Sequence, residues 1–234
     1  MTAYLLQQPV LLAVDCIVFG FDGKDLNILL IKRNFDPEQG RWSLMGGFLK
    51  KGESLPDAAN RVLKTLTGLE GVYLEQSKVF CEPDRDPAER VISMSYFALI
   101  DINKYEHQVT EDYEAKWFLL DKKPRLVFDH DDMVRQALHQ LRYKAALHPL
   151  LFELLPERFT IPQLQALYEA VYDTVFDNRN FTRKLISTGL LIKQTAKDKS
   201  GSKKGAYLYK LDKRKYKKQQ GAFLNLIPRP DKLL

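Results

Sequence analysis

The stretch Gly47 to Leu69, GFLKKGESLPDAANRVLKTLTGL, constrains this chain more than any other. Ser54 is followed three residues on by Asp57, Pro56 falls in the turn between them, and Gly68 stands where a left-handed residue would close a helix. A loop, a helix and a stop are therefore written into 23 consecutive residues. Leu55, Ala59, Val62 and Leu66 recur at offsets of four, three and four, an apolar stripe of the kind that faces a core.

At 234 residues the chain can hold one large domain or two small ones. Its charge is segregated. Residues 1–150 carry 19 Lys and Arg against 22 Asp and Glu, a net of −3, whereas residues 151–234 carry 17 against 8, a net of +9. A concentrated basic field points to nucleic acid before other partners. Cys16 and Cys81 are isolated and lack metal-ligand spacing, and Cys16 lies in an apolar run where a small buried thiol belongs. No basic leader opens the chain, and Asp15 interrupts the only candidate for a membrane span, so a cytoplasmic protein that does not enter membranes is expected.

Leu11 to Phe19 and Leu26 to Arg33 read as a hairpin joined at FDGK, and Phe35 to Gly40 as a polar loop. Arg41 to Phe48 then leads into the capped helix. Val72 to Cys81 and Val91 to Ile102 read as two further strands around EPDRDPAER, with Lys116 to Leu120 as another short one. From Asp129, the spacing Met133, Ala137, Leu141 with Leu138 beside it predicts a long helix, acidic at its start and basic near its end. Strands interleaved with two helices make residues 1–148 an α/β layered domain.

His148-Pro149 marks the expected boundary, and residues 149–234 form the second domain. Thr160 with Gln163 is a capping box, and Leu164, Leu167, Tyr168 and Val171 give the stripe of one helix. Asp177 caps a second, DNRNFTRKLISTG, whose Phe181 and Leu185 point one way while Arg179, Thr182 and Arg183 point another. LLIKQTAK and GAYLYKLDK follow as two alternating segments around the cationic turn DKSGSKK. Helix, turn, helix and a hairpin with a basic tip is the order of a winged helix-turn-helix, which lays its second helix in the major groove of double-stranded DNA. The expected DNA contacts are Asn178, Arg179, Asn180, Thr182, Arg183 and Lys184 on the helix, with Lys203 and Lys204 at the wing. Winged helices also serve as protein-interaction domains, and the exposed arginines and asparagines speak against that use.

The spacing of Gly47, Glu53, Arg61, Gly68 and Leu69 resembles the frame of the Nudix signature. Together with WSLMGGF at Trp42 to Phe48, DRDP at Asp84 to Pro87 followed by Arg90, FDH at Phe128 to His130 and NRNFTRKL at Asn178 to Leu185, the chain resembles the Nudix-related transcriptional regulators of bacteria from about Pro9 to Asp212. That group includes ADP-ribose-sensing repressors of NAD metabolism and L-arabinose-sensing regulators of pentose use in Bacteroidetes. WSLMGGF and RVL-x-x-LTGL look closer to the arabinose branch. The resemblance implies a Nudix-type α/β/α sandwich with a mixed sheet followed by a winged helix, a structural Glu53–Arg61 ion pair and a repressor; a homodimer is expected because winged helices read half-sites one turn or more apart and two-fold symmetry supplies the second copy. It also implies a departure. Where Nudix hydrolases carry magnesium-binding glutamates, this chain has Val62, Thr65 and Leu66, none of which offers a hard cation its oxygen ligands. No metal, cofactor or catalytic residue is then expected. The alternative is a hydrolase of ADP-ribose or nucleoside diphosphate sugars with an accessory nucleic-acid domain.

The effector stays open at the level of sequence. Lys32, Arg33, Arg85 and Arg90 could hold the phosphates of ADP-ribose. A free pentose would instead use hydrogen-bonding groups and an aromatic face, which Asp15, Trp42, Tyr96 and His130 could supply around Gly46 and Gly47.

Overall fold

The structure is a computed structural model that describes residues 7–105, 107–109, 113–199 and 204–216. The chain divides into two compact units at Ala137/Leu138, with Phe21–Leu26 grouped with the second. The expected boundary at His148-Pro149 follows the end of a helix, whereas compactness divides the chain within that helix.

In the first unit seven strands share one sheet: β1 (Leu11–Phe21), β2 (Leu26–Lys32), β3 (Trp42–Ser43), β4 (Met45–Phe48), β5 (Glu75–Phe80), β6 (Val91–Asp101) and β7 (Lys116–Leu119). Their order is β3-β2-β1-β6-β5, with β4 also paired to β1 and β7 to β2. β1 is buried without interruption from Ala13 to Phe21, as a central strand covered on both faces must be. Arg41 to Phe48 does not continue as one strand. Buried Leu44 separates β3 from β4, because its amide is drawn to His130 instead of a strand ladder.

α1 (Leu55–Thr67) begins and ends where the sequence predicts. Ser54 Oγ accepts the Asp57 amide at 3.3 Å, the Asp57 carboxylate accepts the Ser54 amide at 3.4 Å, and Gly68 closes the helix at φ +79°. Ala59 and Val62 pack with Ala58 and Leu63 against Val14, Cys16, Leu29, Met45 and Tyr96, while Leu55 and Leu66 lie at the edge of this core. The Cys16 thiol is buried and donates to the Ala59 carbonyl at 3.5 Å, and burial raises its pKa. A short helix α2 (Ile102–Tyr105) follows β6, and α3 (His130–Leu147) carries Asp131 and Asp132 in its first turn and Lys144 in its last.

The second unit contains α4 (Ile161–Tyr172), α5 (Asn178–Ser187) and a sheet of β8 (Phe159–Thr160), β9 (Leu191–Asp198) and β10 (Ala206–Leu211) in the order β8-β10-β9, with a short α6 (Lys213–Tyr216) after it. Thr160 caps α4 as read from sequence and also pairs with Leu208, a strand of two residues that periodicity cannot reveal. Leu164, Leu167, Tyr168 and Val171 are fully buried and meet Phe181 and Leu185 of α5 in a core that includes Phe152, Phe159 and Phe176. Among the described residues no helix is long and apolar enough to cross a membrane.

Candidate functional site

A cleft of about 340 Å3 opens in the first unit between the start of β1, the end of β2 and its following loop, β4, the loop around Arg85, and Phe128 with His130. Its floor is a cluster of buried polar groups. Asp15 of β1 stands opposite Gly46 of β4, where a Cβ would come within 2.5 Å of Asp15 Oδ1, so glycine is what lets the carboxylate in. Ser93 Oγ donates to Asp15 Oδ2 at 2.5 Å. Arg85 grips Asp129 with both ends of its fork, Nε to Oδ2 at 2.9 Å and Nη2 to Oδ1 at 2.7 Å, and keeps Nη2 at 3.9 Å from Asp15. Such planar pairing fixes orientation as well as charge.

His130 completes the floor at the start of α3. Its Nδ1 accepts the Leu44 amide at 3.2 Å, which places the proton of the neutral ring on Nε2, 3.6 Å from Asp15 Oδ1. Burial pulls its pKa below the ordinary value of 6.5, against the attraction of Asp15 and Asp129, so the ring is neutral at neutral pH. Arg33 forms one wall. Its Nε donates to the Pro37 carbonyl at 2.9 Å, and the guanidinium lies 4.3 Å from the Phe35 ring centroid and 5.1 Å from that of Phe128. Burial lowers the Arg33 pKa. Phe128 holds φ +50°, a left-handed backbone that an aromatic residue adopts at a cost of about 1–3 kcal/mol. Lys32 pairs with Glu114 at 3.0 Å nearer the surface.

The structure thus brings together Asp15, Lys32, Arg33, Gly46, Gly47, Arg85 and His130, and it leaves three expected residues outside. Trp42 packs edge-on against Phe118 with centroids 4.8 Å apart. Tyr96 is buried in the core with Cys16 and Ala59, its hydroxyl without a hydrogen-bond partner among the described residues and its pKa raised by burial. Arg90 spends its guanidinium on the carbonyls of Cys81, Glu82 and Val91, bracing the loop that carries Arg85. Sequence reasoning missed Asp129, Ser93 and Phe35; only Asp129 left a signal, as an acid just ahead of a helix.

Between α1 and the loop that precedes it, Arg61 donates to Glu53 through Nε at 2.9 Å and Nη2 at 2.6 Å, and the Lys50 amide adds a third bond, so the Glu53 carboxyl is held down at about 2. Any side chain larger than that of Gly47 is excluded by Val62, whose Cγ2 would lie 2.6 Å from an added Cβ. Val62 is buried, Leu66 lines the cleft and Thr65 faces solvent. These three do not fit a hard divalent cation, which takes oxygen ligands. Among the described residues no group of three or more His, Cys, Asp or Glu is placed to hold a metal ion.

In the second unit, Arg179, Asn180 and Arg183 are exposed on α5, with Arg183 Nη2 donating to Asn180 Oδ1 at 2.7 Å, while Phe181 and Leu185 are buried. Thr182 and Lys184 are half-buried. Asn178 is exposed but its Oδ1 accepts from Gln165 Nε2 at 2.6 Å, and the same Gln165 nitrogen reaches Glu169 and the Phe176 carbonyl. That buried network, absent from the sequence reading, anchors the start of α5. Lys204 is exposed at the entry to β10, and Lys203 lies outside the described residues.

Residues 9–137 match the NUDIX domain family and residues 151–211 the NrtR DNA-binding winged helix domain. Over 204 residues the chain is 34% identical to the ADPR responsive transcriptional repressor NtrR of Acinetobacter baylyi, covering 86% of this chain and 81% of that one. The crystal structure of Shewanella oneidensis NrtR complexed with a 27mer DNA has a TM-score of 0.73 at 29% identity, covering 89% of this chain and 96% of that one. The NUDIX domain of the same NrtR, complexed with ADP ribose, has a TM-score of 0.52 at 29% identity and covers 58% and 92% of the two chains. The ADP-ribose pyrophosphatase of Methanocaldococcus jannaschii is 37% identical over 136 residues, 58% of this chain and 77% of that one. With both domains matched in this order, the chain belongs to the NrtR-type family of transcriptional regulators, a Nudix domain followed by a C-terminal winged helix.

Proposed function

We propose that this protein is a cytoplasmic repressor of sugar utilisation that binds operator DNA as a homodimer through its winged helix and releases it when a small effector fills the Nudix cleft. The DNA-binding half is supported by the exposed Arg179, Asn180 and Arg183 on a helix whose opposite face is buried, and by the DNA complex of the Shewanella relative. The expected contacts Asn178, Thr182, Lys184, Lys203 and Lys204 complete that interface.

The observation that carries the effector reading is the charge balance of the cleft. Lys32, Arg33 and Arg85 meet four carboxylates on its lining, Asp15, Asp36, Asp86 and Glu89, and Arg85 is further claimed by Asp129. A pyrophosphate would bring about two more negative charges into a partly buried place that has no surplus of cations. A neutral polyol suits the floor better, since Asp15, the His130 imidazole, Ser43 and Arg85 present acceptors and donors at fixed positions. A pentose such as L-arabinose is the effector we assign. With Val62, Thr65 and Leu66 on α1, we assign no hydrolase activity.

ADP-ribose is the second reading, favoured by the names of the Acinetobacter and Shewanella relatives and by the exposed outer face of Phe35, on which a base could stack. Thermal unfolding separates the two. L-arabinose at a hundredfold excess over its dissociation constant should stabilise the protein by about 2.7 kcal/mol, whereas ADP-ribose with magnesium should neither stabilise it nor release AMP. Stabilisation by ADP-ribose alone would replace the pentose by the second reading. Magnesium-dependent release of AMP would return the protein to the hydrolases.

A further inference from the structure

β9 and β10 carry a basic cluster that neither the helix nor the wing tip explains. Lys193 Nζ lies 3.7 Å and Lys197 Nζ 4.4 Å from the centroid of the Tyr207 ring. The register accounts for the crowding. Tyr207 pairs with Lys197 and Tyr209 with Lys193, so the ladder slips by two residues between them and draws Lys193 toward Tyr207 without turning it to the other face. All three side chains are exposed.

Two like charges on one ring repel each other, and among the described residues neither lysine has a carboxylate within ion-pair distance. Lys210 on the neighbouring strand differs, since it is neutralised by Glu157 at 2.7 Å. The ring face attracts both ammonium groups and restricts where they can go, and each ammonium keeps N–H donors that an anion can use. Tyr207 also lines a groove of about 470 Å3 with Asn178 and Thr182 of α5 and Ala206 and Tyr209 of β10. The cluster therefore borders the groove beside the helix assigned to base reading.

We propose that Lys193, Tyr207 and Lys197 form a preorganised phosphodiester site that grips the DNA backbone beside the recognition helix. The proposal rests on the DNA-binding reading above. It assigns the wing strands a contact that positions the helix and carries no base preference. Tyr207 acts as the platform and the lysines as the phosphate ligands.

Because phosphate contacts are read on any sequence, the test uses the full chain and a mixed-sequence duplex titrated over a range of salt concentrations. Lys193→Gln and Lys197→Gln should each lower the slope of log affinity against log salt by about 0.9, and the double variant by about twice that. Tyr207→Leu should weaken binding at every salt concentration, and Tyr207→Phe, which keeps the ring, should restore it. Lys210→Gln serves as the neutralised control and should leave the slope unchanged. An unchanged slope in the double variant, or an equal loss in Lys210→Gln, would overturn the site. A wild-type chain that binds no duplex at low salt overturns the DNA-binding reading itself, a separate and recognisable outcome.

Discussion

Arg85→Ala is expected to destabilise the first unit by about 3–5 kcal/mol, read as a lowered midpoint in urea unfolding. The Arg85 side chain is 5% exposed and the Asp15 side chain 6%. Removing the guanidinium leaves Asp15 and Asp129 without their shared cation in a place water cannot fully reach. Breaking a buried pair costs more than the pair contributes, because the remaining charge keeps its desolvation penalty. The cost should therefore shrink when the stranded partner goes too. Arg85→Ala with Asp129→Ala is expected to lose less than the sum of the two single changes, a coupling a double-mutant cycle measures directly. Arg85→Lys should recover only part of the loss, since an ammonium cannot span both Asp129 oxygens. A cost for Arg85→Ala within about 0.5 kcal/mol, the range of ordinary surface changes, would show that the floor is not held by this pair.

Phe181→Ala should have a comparable effect in the second unit, about 3–5 kcal/mol, and should abolish DNA binding with it. Phe181 is 2% exposed and meets the rings of Tyr168 at 5.7 Å and Phe176 at 5.4 Å. It is the peg that holds α5 to α4, and the exposed arginines of the same helix depend on that seating for their position. Ile186→Ala on the exposed side of α5 is the control, with an expected change within about 0.5 kcal/mol. Urea unfolding and duplex binding of the two variants, measured side by side, check both halves of the expectation.

The elements legible in the sequence were those whose signals are local. Ser54, Asp57 and Gly68 fix α1 within a few residues of one another, and Thr160 with Gln163 does the same for α4. The Glu53–Arg61 pair was implied by the resemblance to the Nudix signature, and the structure contains it. The cleft was half legible. Asp15 and His130 stood out, one as a charge inside an apolar strand and the other beside a helix start, but nothing in their spacing joins them to each other. Arg85 and Asp129 are 44 positions apart and Asp15 and Ser93 are 78, so only the sheet order β1-β6 and the course of the loop bring them together. Trp42 and Tyr96, candidates by sequence for an aromatic face, pack against Phe118 and within the core, where a large ring gains from burial. Arg90, a candidate phosphate ligand by sequence, instead donates to the carbonyls of Cys81, Glu82 and Val91.

α3 begins at the cleft with His130 and passes at Ala137/Leu138 into the compact unit that contains the winged helix. In the function proposed above, an effector that reorganises Asp15, Arg85 and His130 would act on the first turn of α3. It alters DNA binding only through a difference in its own affinity for the DNA-competent and DNA-incompetent states. Coupling of typical size, about 1–3 kcal/mol, corresponds to a roughly 5- to 150-fold change. The decisive measurement is the affinity of the full chain for its operator with and without saturating effector. The account predicts that L-arabinose weakens operator binding by roughly 5- to 150-fold. An operator affinity unchanged by every pentose and by ADP-ribose would contradict it.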